Sequence, residues 1–153
     1  MTSGVQHGMT GAVVFQREQL VRFGHCDPAG IVFYPRYFEM LNELVEDWFA
    51  QGLGQSFARL ITESGLGMPT AQLDTRFLRI SRLGDVLQQR LRLQRVGGSS
   101  MTLAVSFDGD DGPRVEFGQD AGQPLCSLPE LWQRSDLRKR PGLICPTYVI
   151  SSL

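Results

Sequence analysis

The chain has 153 residues, of which 42% are hydrophobic, so it is long and apolar enough for one domain with its own buried core. Fifteen basic and sixteen acidic side chains leave a net charge of −1, which argues against binding nucleic acid through bulk positive charge. The three cysteines (Cys26, Cys126 and Cys145) form no CxxC pair, which argues against a disulfide framework and a structural zinc site.

The first third of the chain is predicted to form a strand, a loop and one long helix. Residues 1–12 are predicted to be a flexible start, and the apolar character from Val13 to Phe23 indicates a strand. Segment 24–30 holds two glycines, a proline and an aspartate and is predicted as a loop. Pro35 suits the first helical position, and Gly52 is the expected stop. Apolar residues at spacings of three and four predict the buried helix face, namely Tyr34, Phe38, Leu41, Val45 and Trp48.

The rest of the recognisable pattern is antiparallel. A short helix is expected near Phe57–Thr62, before the remaining strands. Alternating apolar and polar residues, with turns between them, predict strands at Thr70–Ile80, Leu87–Gln94, Met101–Phe107 and Arg114–Gly118, with reversals at 83–85, 97–98 and 108–112. One helix with a run of hairpins predicts an α+β layer arrangement, not a parallel βαβ fold.

The segment 23–37 closely resembles the signature of the 4-hydroxybenzoyl-CoA thioesterase family of hotdog proteins. It runs from Phe23-Gly24 through the Asp27-Pro28-Ala29-Gly30 turn and Val32 to the Tyr34-Pro35 that opens the helix. The resemblance covers roughly residues 15–118 and implies a hotdog domain, which we place at 13–119. It also implies an antiparallel sheet wrapped around one long helix, dimers whose sheets join, active sites at the subunit interface, and pairing of dimers into tetramers.

By position, the resemblance makes Asp27 the catalytic carboxylate and the backbone N–H of Tyr34 the group that polarises the thioester carbonyl. A helix N-terminus does offer unpaired N–H donors and partial positive charge, which a developing oxyanion needs. Asp27 would act as nucleophile or as general base, and the sequence does not choose between them. Two structural alternatives stay open: Asp27 as a turn former only, and Tyr34 as a core aromatic.

The remaining candidate site residues are less specific. We predict substrate contacts from His25, Gly30, Val32, Phe33, Arg90 and Arg92. Arginines on or near strands could contact the CoA phosphates, each being alternatively a solvated strand-face residue, namely Arg79, Arg82, Arg90, Arg92 and Arg95. His25 is alternatively a solvent-facing loop residue, and Cys26 is predicted to be a small buried side chain without thiol chemistry. No metal or organic cofactor is expected, because the two histidines, His7 and His25, belong to no ligand motif; coenzyme A enters only as part of the substrate.

The predicted function is hydrolysis of an aromatic or a short- to medium-chain acyl-CoA. The alternatives are a thioesterase acting on acyl carrier protein and a non-catalytic acyl-CoA-binding hotdog subunit. We expect a cytoplasmic homo-oligomer, dimer or tetramer, with no nucleic-acid or membrane partner, since no apolar run approaches the roughly 20 residues of a membrane span. After Gln119 the strand pattern ends, so residues 120–153 are predicted to be a divergent segment, as an altered reading frame would produce.

Overall fold

The computed structural model describes Met9 and residues 11–64, 69–96 and 101–121. Its elements, in chain order, are β1 (Ala12–Leu20), a 3₁₀ turn (Phe23–His25), α1 (Pro35–Asp47) with a π-helical turn (Trp48–Gly52), α2 (Phe57–Ser64), β2 (Thr70–Phe77), β3 (Val86–Val96), β4 (Met101–Gly109) and β5 (Gly112–Ala121). The strands form one antiparallel sheet in the order β1-β3-β4-β5-β2. The predicted α+β arrangement is confirmed, and none of the described helices is long and apolar enough to cross a membrane.

Helix α1 lies on one face of this sheet and supplies much of the core. Its buried side chains are Tyr37, Met40, Leu41, Leu44 and Val45. They pack in one cluster with β-strand residues that include Leu91, Val105, Phe107 and Phe117. The predicted buried face is correct at Leu41, Val45 and Trp48 but wrong at Tyr34, which is exposed. The buried face of α1 is centred on Tyr37, Leu41 and Leu44. Tyr34 lies outside it, as the residue that precedes the first helical residue.

Arg17 links helix α1 to the sheet through hydrogen bonds and ion pairs. Its guanidinium donates through Nε to the Oε1 of buried Gln89 (2.7 Å) and through Nη2 to the main-chain oxygen of Met40 (3.4 Å). The same group pairs with the carboxylates of Glu43 and Asp47 on the helix. An arginine on the inward face of β1 therefore ties two strands to the C-terminal half of α1.

Two strands end earlier than predicted, and both of these ends fall on the same side of the sheet. β1 ends at Leu20, not Phe23, because the chain turns into the 3₁₀ turn and leaves Phe23 exposed. β2 ends at Phe77, not Ile80, because the N–H groups of Leu78 and Arg79 both donate to the single main-chain oxygen of Arg114 (2.8 and 3.1 Å). That sharing breaks the ladder with β5 and directs residues 78–85 towards the loop that follows β1.

The predicted short helix and two of the predicted reversals are confirmed. The Asp85 N–H closes the first reversal on the Arg82 oxygen (3.0 Å), and Gly112 takes a φ of +115° after the two-residue turn between β4 and β5. The reversal at 97–98 lies outside the described residues. β5 continues to Ala121, which pairs with Met101, two residues beyond Gln119, where the sequence predicts the end of the domain. The rest of the predicted C-terminal segment and most of the N-terminal one also lie outside the described residues.

Candidate active site

Asp27 sits at the first position of a tight turn inside a small hairpin. The hairpin is closed by a bridge between Cys26 and Val32 and by the Asp27 N–H, which donates to the Ile31 oxygen (2.9 Å). The Gly30 N–H donates to the Asp27 oxygen (2.9 Å), and Gly30 has a φ of +74°, which explains the glycine at this position. The Asp27 side chain accepts the Ala29 N–H at Oδ1 (2.8 Å). One carboxylate oxygen thus holds the turn, and Oδ2 has no protein partner among the described residues.

Helix α1 starts beside this hairpin with one uncommitted donor. The Arg36 N–H donates to the Phe33 oxygen (2.8 Å), and the Tyr37 N–H donates to the Tyr34 oxygen (3.1 Å). Pro35 has no N–H to offer. The main-chain N–H of Tyr34 is therefore the free donor of this turn, with no acceptor among the residues that the structure describes. A carbonyl oxygen carrying negative charge is the ligand that such a donor suits.

The hairpin rests on the segment 78–85, which we call the support loop. The Val32 N–H donates to the Ser81 oxygen (2.9 Å), and the Leu83 N–H donates to the Gly30 oxygen (3.0 Å). Ile31 and Arg82 form a further bridge between the two segments. Backbone bonds therefore fix the second arm of the Asp27 hairpin, residues 30–32, to residues some fifty positions later in the sequence.

An exposed aromatic surface borders the start of α1. Phe33 (48% exposed), Tyr34 (59%) and Phe77 (52%) form it. The Tyr34 ring lies 5.6 Å from Phe33 and 6.2 Å from Phe77, in edge-to-face geometry, and its other aromatic neighbour is the half-buried Phe38. Large aromatic side chains left this open beside a free N–H and a carboxylate form a surface for an apolar, flat group.

His25 and Cys26 directly precede Asp27, and both side chains have hydrogen-bond partners in the main chain of Arg22. The His25 ring accepts the Arg22 N–H at Nδ1 (3.0 Å), which caps the 3₁₀ turn and leaves only Nε2 for another contact. Burial raises the pKa of the Cys26 thiol, and the carboxylates of Asp27 and Asp85 raise that pKa further. A thiol held protonated is a poor nucleophile, so Cys26 is not placed for thiol chemistry. It is half-buried, where the sequence predicts full burial.

The predicted site residues divide into two groups. His25, Asp27, Gly30, Val32, Phe33 and Tyr34 come together in the hairpin and at the start of α1. Arg90 and Arg92 do not join them: they lie on the sheet face opposite α1, since they alternate with buried Leu91. Arg90 pairs there with Asp108, and Arg92 donates to the Ser106 hydroxyl (3.2 Å).

Three residues that the sequence analysis did not select contribute to this region. The Tyr37 hydroxyl donates to the Ser81 Oγ (2.8 Å), and both residues are buried. Arg114 donates to the Ile80 oxygen and pairs with Asp85 (3.4 Å), which braces the support loop. Tyr37 was detectable only as a helix-face aromatic, and no local pattern singles out Ser81. Among the described residues, no group of three or more His, Cys, Asp or Glu side chains is placed to hold a metal ion.

Comparison with known proteins agrees with this geometry. The family model described as the thioesterase-like superfamily matches residues 21–120. A 1,4-dihydroxy-2-naphthoyl-CoA hydrolase from Thermosynechococcus vestitus is 30% identical over 109 residues, which cover 71% of this chain and 73% of the relative. A 4-hydroxybenzoyl-CoA thioesterase from Pseudomonas sp. strain CBS-3 is 31% identical over 71 residues, 46% of this chain and 50% of that one.

Solved structures support the same assignment at the level of the fold. A 1,4-dihydroxy-2-naphthoyl-CoA thioesterase from Synechocystis superposes with a TM-score of 0.68 at 20% identity, covering 83% of this chain and 98% of the other. The sheet order, the single long helix on its inner face and the matched residues lead to one conclusion. This chain belongs to the thioesterase-like superfamily, has the hotdog fold and is a thioester hydrolase.

Proposed function

We propose that this protein hydrolyses aromatic acyl-CoA thioesters, with Asp27 as the reacting carboxylate. The observation that carries the proposal is the pairing of two groups. Asp27 has one carboxylate oxygen committed to its turn and the other unpaired, and the nearby start of α1 presents the free Tyr34 N–H. A thioester needs a nucleophile or base at its carbonyl carbon and a donor at its carbonyl oxygen, and these two groups supply them.

Two routes are consistent with this arrangement. In the first, Asp27 Oδ2 attacks the acyl carbon, the carbon–sulfur bond breaks, coenzyme A leaves as the thiolate, and water then hydrolyses the mixed anhydride. In the second, Asp27 takes a proton from water as that water attacks the same carbon, and the thiolate leaves when the tetrahedral intermediate collapses. In both, the Tyr34 N–H stabilises the oxyanion. Neither route uses a metal or an organic cofactor.

Two observations favour an aromatic acyl group. The surface formed by Phe33, Tyr34 and Phe77 offers ring edges and faces to a flat substituent next to the reacting groups. The two curated relatives described above are named for dihydroxynaphthoyl-CoA and hydroxybenzoyl-CoA, both of which carry aromatic acyl groups. An aliphatic chain would bury apolar area on this surface but would gain no ring–ring geometry.

We propose that the working unit is a homodimer at minimum, with each site completed at the subunit interface. Among the described strands, β2 is an edge that pairs only with β5. Phe77, Leu78 and Ile80, at and just beyond the end of this edge, are all exposed. An open strand edge beside exposed apolar residues is a surface that a second copy would cover by joining the two sheets. The pairing of dimers into tetramers and a cytoplasmic location stay predictions.

The arginines that could bind the CoA phosphates differ in how close they lie to the Asp27 hairpin. Arg82 is exposed and bridges to Ile31 in the Asp27 hairpin. Arg90 and Arg92 remain candidates, although within one chain they lie on the opposite sheet face and have side-chain partners there. Replacing each of the three by alanine and measuring KM for the acyl-CoA would separate them, since loss of a phosphate contact raises KM more than it lowers kcat.

A thiol-release assay tests the proposed function. The panel contains benzoyl-CoA, 4-hydroxybenzoyl-CoA, 2-naphthoyl-CoA, butyryl-CoA and octanoyl-CoA, together with one aromatic acyl-pantetheine. We expect kcat/KM for the best aromatic ester to exceed that for the best aliphatic ester by about tenfold or more, equivalent to about 1.4 kcal/mol of extra transition-state binding. Preference for aliphatic esters would refute the substrate class. Binding of these esters without thiol release would identify a non-catalytic subunit, and activity on the acyl-pantetheine but on none of the CoA esters would favour the alternative of a thioesterase acting on acyl carrier protein.

A further inference from the structure

We infer that the hydrogen bond between Tyr37 and Ser81 is a positioning element that sets the Asp27 carboxylate against the Tyr34 N–H. The inference rests on the proposed function, because it concerns how the two reacting groups are held relative to each other. Neither Tyr37 nor Ser81 is expected to touch the substrate, since both are buried, at 4% and 1% exposure. They act through the segments that they join.

Tyr37 is tied to the start of helix α1. It lies in the first turn of α1, and its main-chain N–H donates to the Tyr34 oxygen (3.1 Å). The Tyr37 ring is held between Phe77 and Phe107, at centroid distances of 6.0 and 6.3 Å, so its hydroxyl has little freedom to move. Whatever fixes the Tyr37 hydroxyl therefore also fixes the turn that presents the Tyr34 N–H.

Ser81 is hydrogen-bonded to the Asp27 hairpin. Its main-chain oxygen accepts the Val32 N–H (2.9 Å), and Val32 pairs with Cys26, the residue directly before Asp27. Its Oγ accepts the Tyr37 hydroxyl at 2.8 Å. One residue of the support loop is thus hydrogen-bonded to both the hairpin and the helix start, which are also linked by the Phe33 N–H to His25 oxygen bond (3.0 Å) and by packing of Val32 and Tyr37 in the core.

The hydrogen bond between Tyr37 and Ser81 is expected to persist across the neutral pH range. Burial raises the pKa of the Tyr37 phenol, so the phenol stays protonated and remains a donor across the neutral range. Both hydroxyls lie in the interior, where a hydrogen bond does not exchange with water and an unpaired partner is costly.

The test compares Tyr37→Phe, Ser81→Ala and the Tyr37→Phe/Ser81→Ala double variant in the full chain. Each single change leaves one buried hydroxyl without its partner, whereas the double change removes both, so the double variant should recover stability. Thr102→Val is the matched control: it removes a half-buried hydroxyl that donates to Asp120 Oδ1 (2.6 Å) between the inner strands β4 and β5, near the start of β4. Each variant is measured for kcat, KM and urea unfolding, and Tyr37→Phe is also combined with Asp27→Asn.

A positioning role predicts a specific pattern. The single and double variants lose about 10- to 100-fold in kcat, because a misplacement near 1 Å costs about that much, while KM changes little. The double variant stays slow although it regains stability, and Thr102→Val keeps wild-type kcat. In the Asp27→Asn background, Tyr37→Phe causes no further loss, because no carboxylate remains to be misplaced.

Two results would overturn the inference. One is a double variant whose kcat returns to within about threefold of wild type along with its stability, as a purely structural bond would give. The other is a Tyr37→Phe effect that is as large without the Asp27 carboxylate as with it. If wild type is inactive on every ester, or Asp27→Asn remains fully active, the proposed function fails and this inference fails with it. If Asp27→Asn is inactive but the double variant is fast, only the positioning role is refuted.

Discussion

Replacing Asp27 by asparagine separates the reacting role of this residue from its turn role. An asparagine Oδ1 can still accept the Ala29 N–H, now 2.8 Å from the carboxylate, and Pro28 and Gly30 are unchanged. The loss is one charge-assisted hydrogen bond exchanged for a neutral one, so we expect the free energy of unfolding to fall by about 1 kcal/mol. Turnover should fall by at least about 100-fold, since base assistance alone is worth roughly 10²–10⁴-fold, or about 3–5 kcal/mol of barrier.

The assay is kcat and KM for the best aromatic ester, alongside urea unfolding of each variant. Asp47→Asn is the control: its carboxylate also has a protein partner, Arg17, but at the last residue of α1. We expect this control to lose a comparable amount of stability but less than about threefold in kcat, because its partner belongs to β1 and not to the Asp27 hairpin or the support loop. An Asp27→Asn enzyme within threefold of wild type would refute the reacting role. Water-derived oxygen label recovered in the Asp27 carboxylate after a single turnover would identify it as the nucleophile.

Four further outcomes follow from the geometry. Light scattering at micromolar concentration should give a dimer or tetramer, and a monomer would contradict the proposed interface at the β2 edge. Phe77→Ala should raise KM for aromatic esters several-fold more than for octanoyl-CoA, and an equal change for both would remove the aromatic surface from substrate selection. Arg17→Met should lower the free energy of unfolding by about 2 kcal/mol in urea titration, because it leaves buried Gln89 without its donor; no change would mean that the contacts with α1 are replaceable. Cys26→Ser should keep kcat within about threefold, and the wild-type thiol should alkylate slowly at neutral pH, since its pKa is raised; rapid alkylation with loss of activity would contradict this.

Much of the candidate site could be predicted from the sequence because its elements are local. The turn at Asp27 depends on Pro28 and Gly30, which fix backbone angles without help from the rest of the fold. Pro35 marks the start of the helix in the same way, by lacking an N–H where none is needed. A carboxylate followed closely by a helix start is therefore visible as a pattern, whereas the exposure of Tyr34 is not, since its spacing predicts a place on the buried face. The alternation of apolar residues likewise determines the antiparallel strands, because each strand has one buried face.

The tertiary structure decided what contacts across the chain determine. β2 stops at Phe77 because two N–H groups share the Arg114 oxygen, a partner more than thirty residues away that no local pattern encodes. Arg90 and Arg92 alternate as expected along β3, but only the position of α1 shows which face they occupy. The Tyr37–Ser81 bond joins residues 44 positions apart, and neither side chain is unusual in its own segment. Local rules place the reacting groups on their elements, whereas long-range hydrogen bonds in the buried interior fix those elements relative to one another.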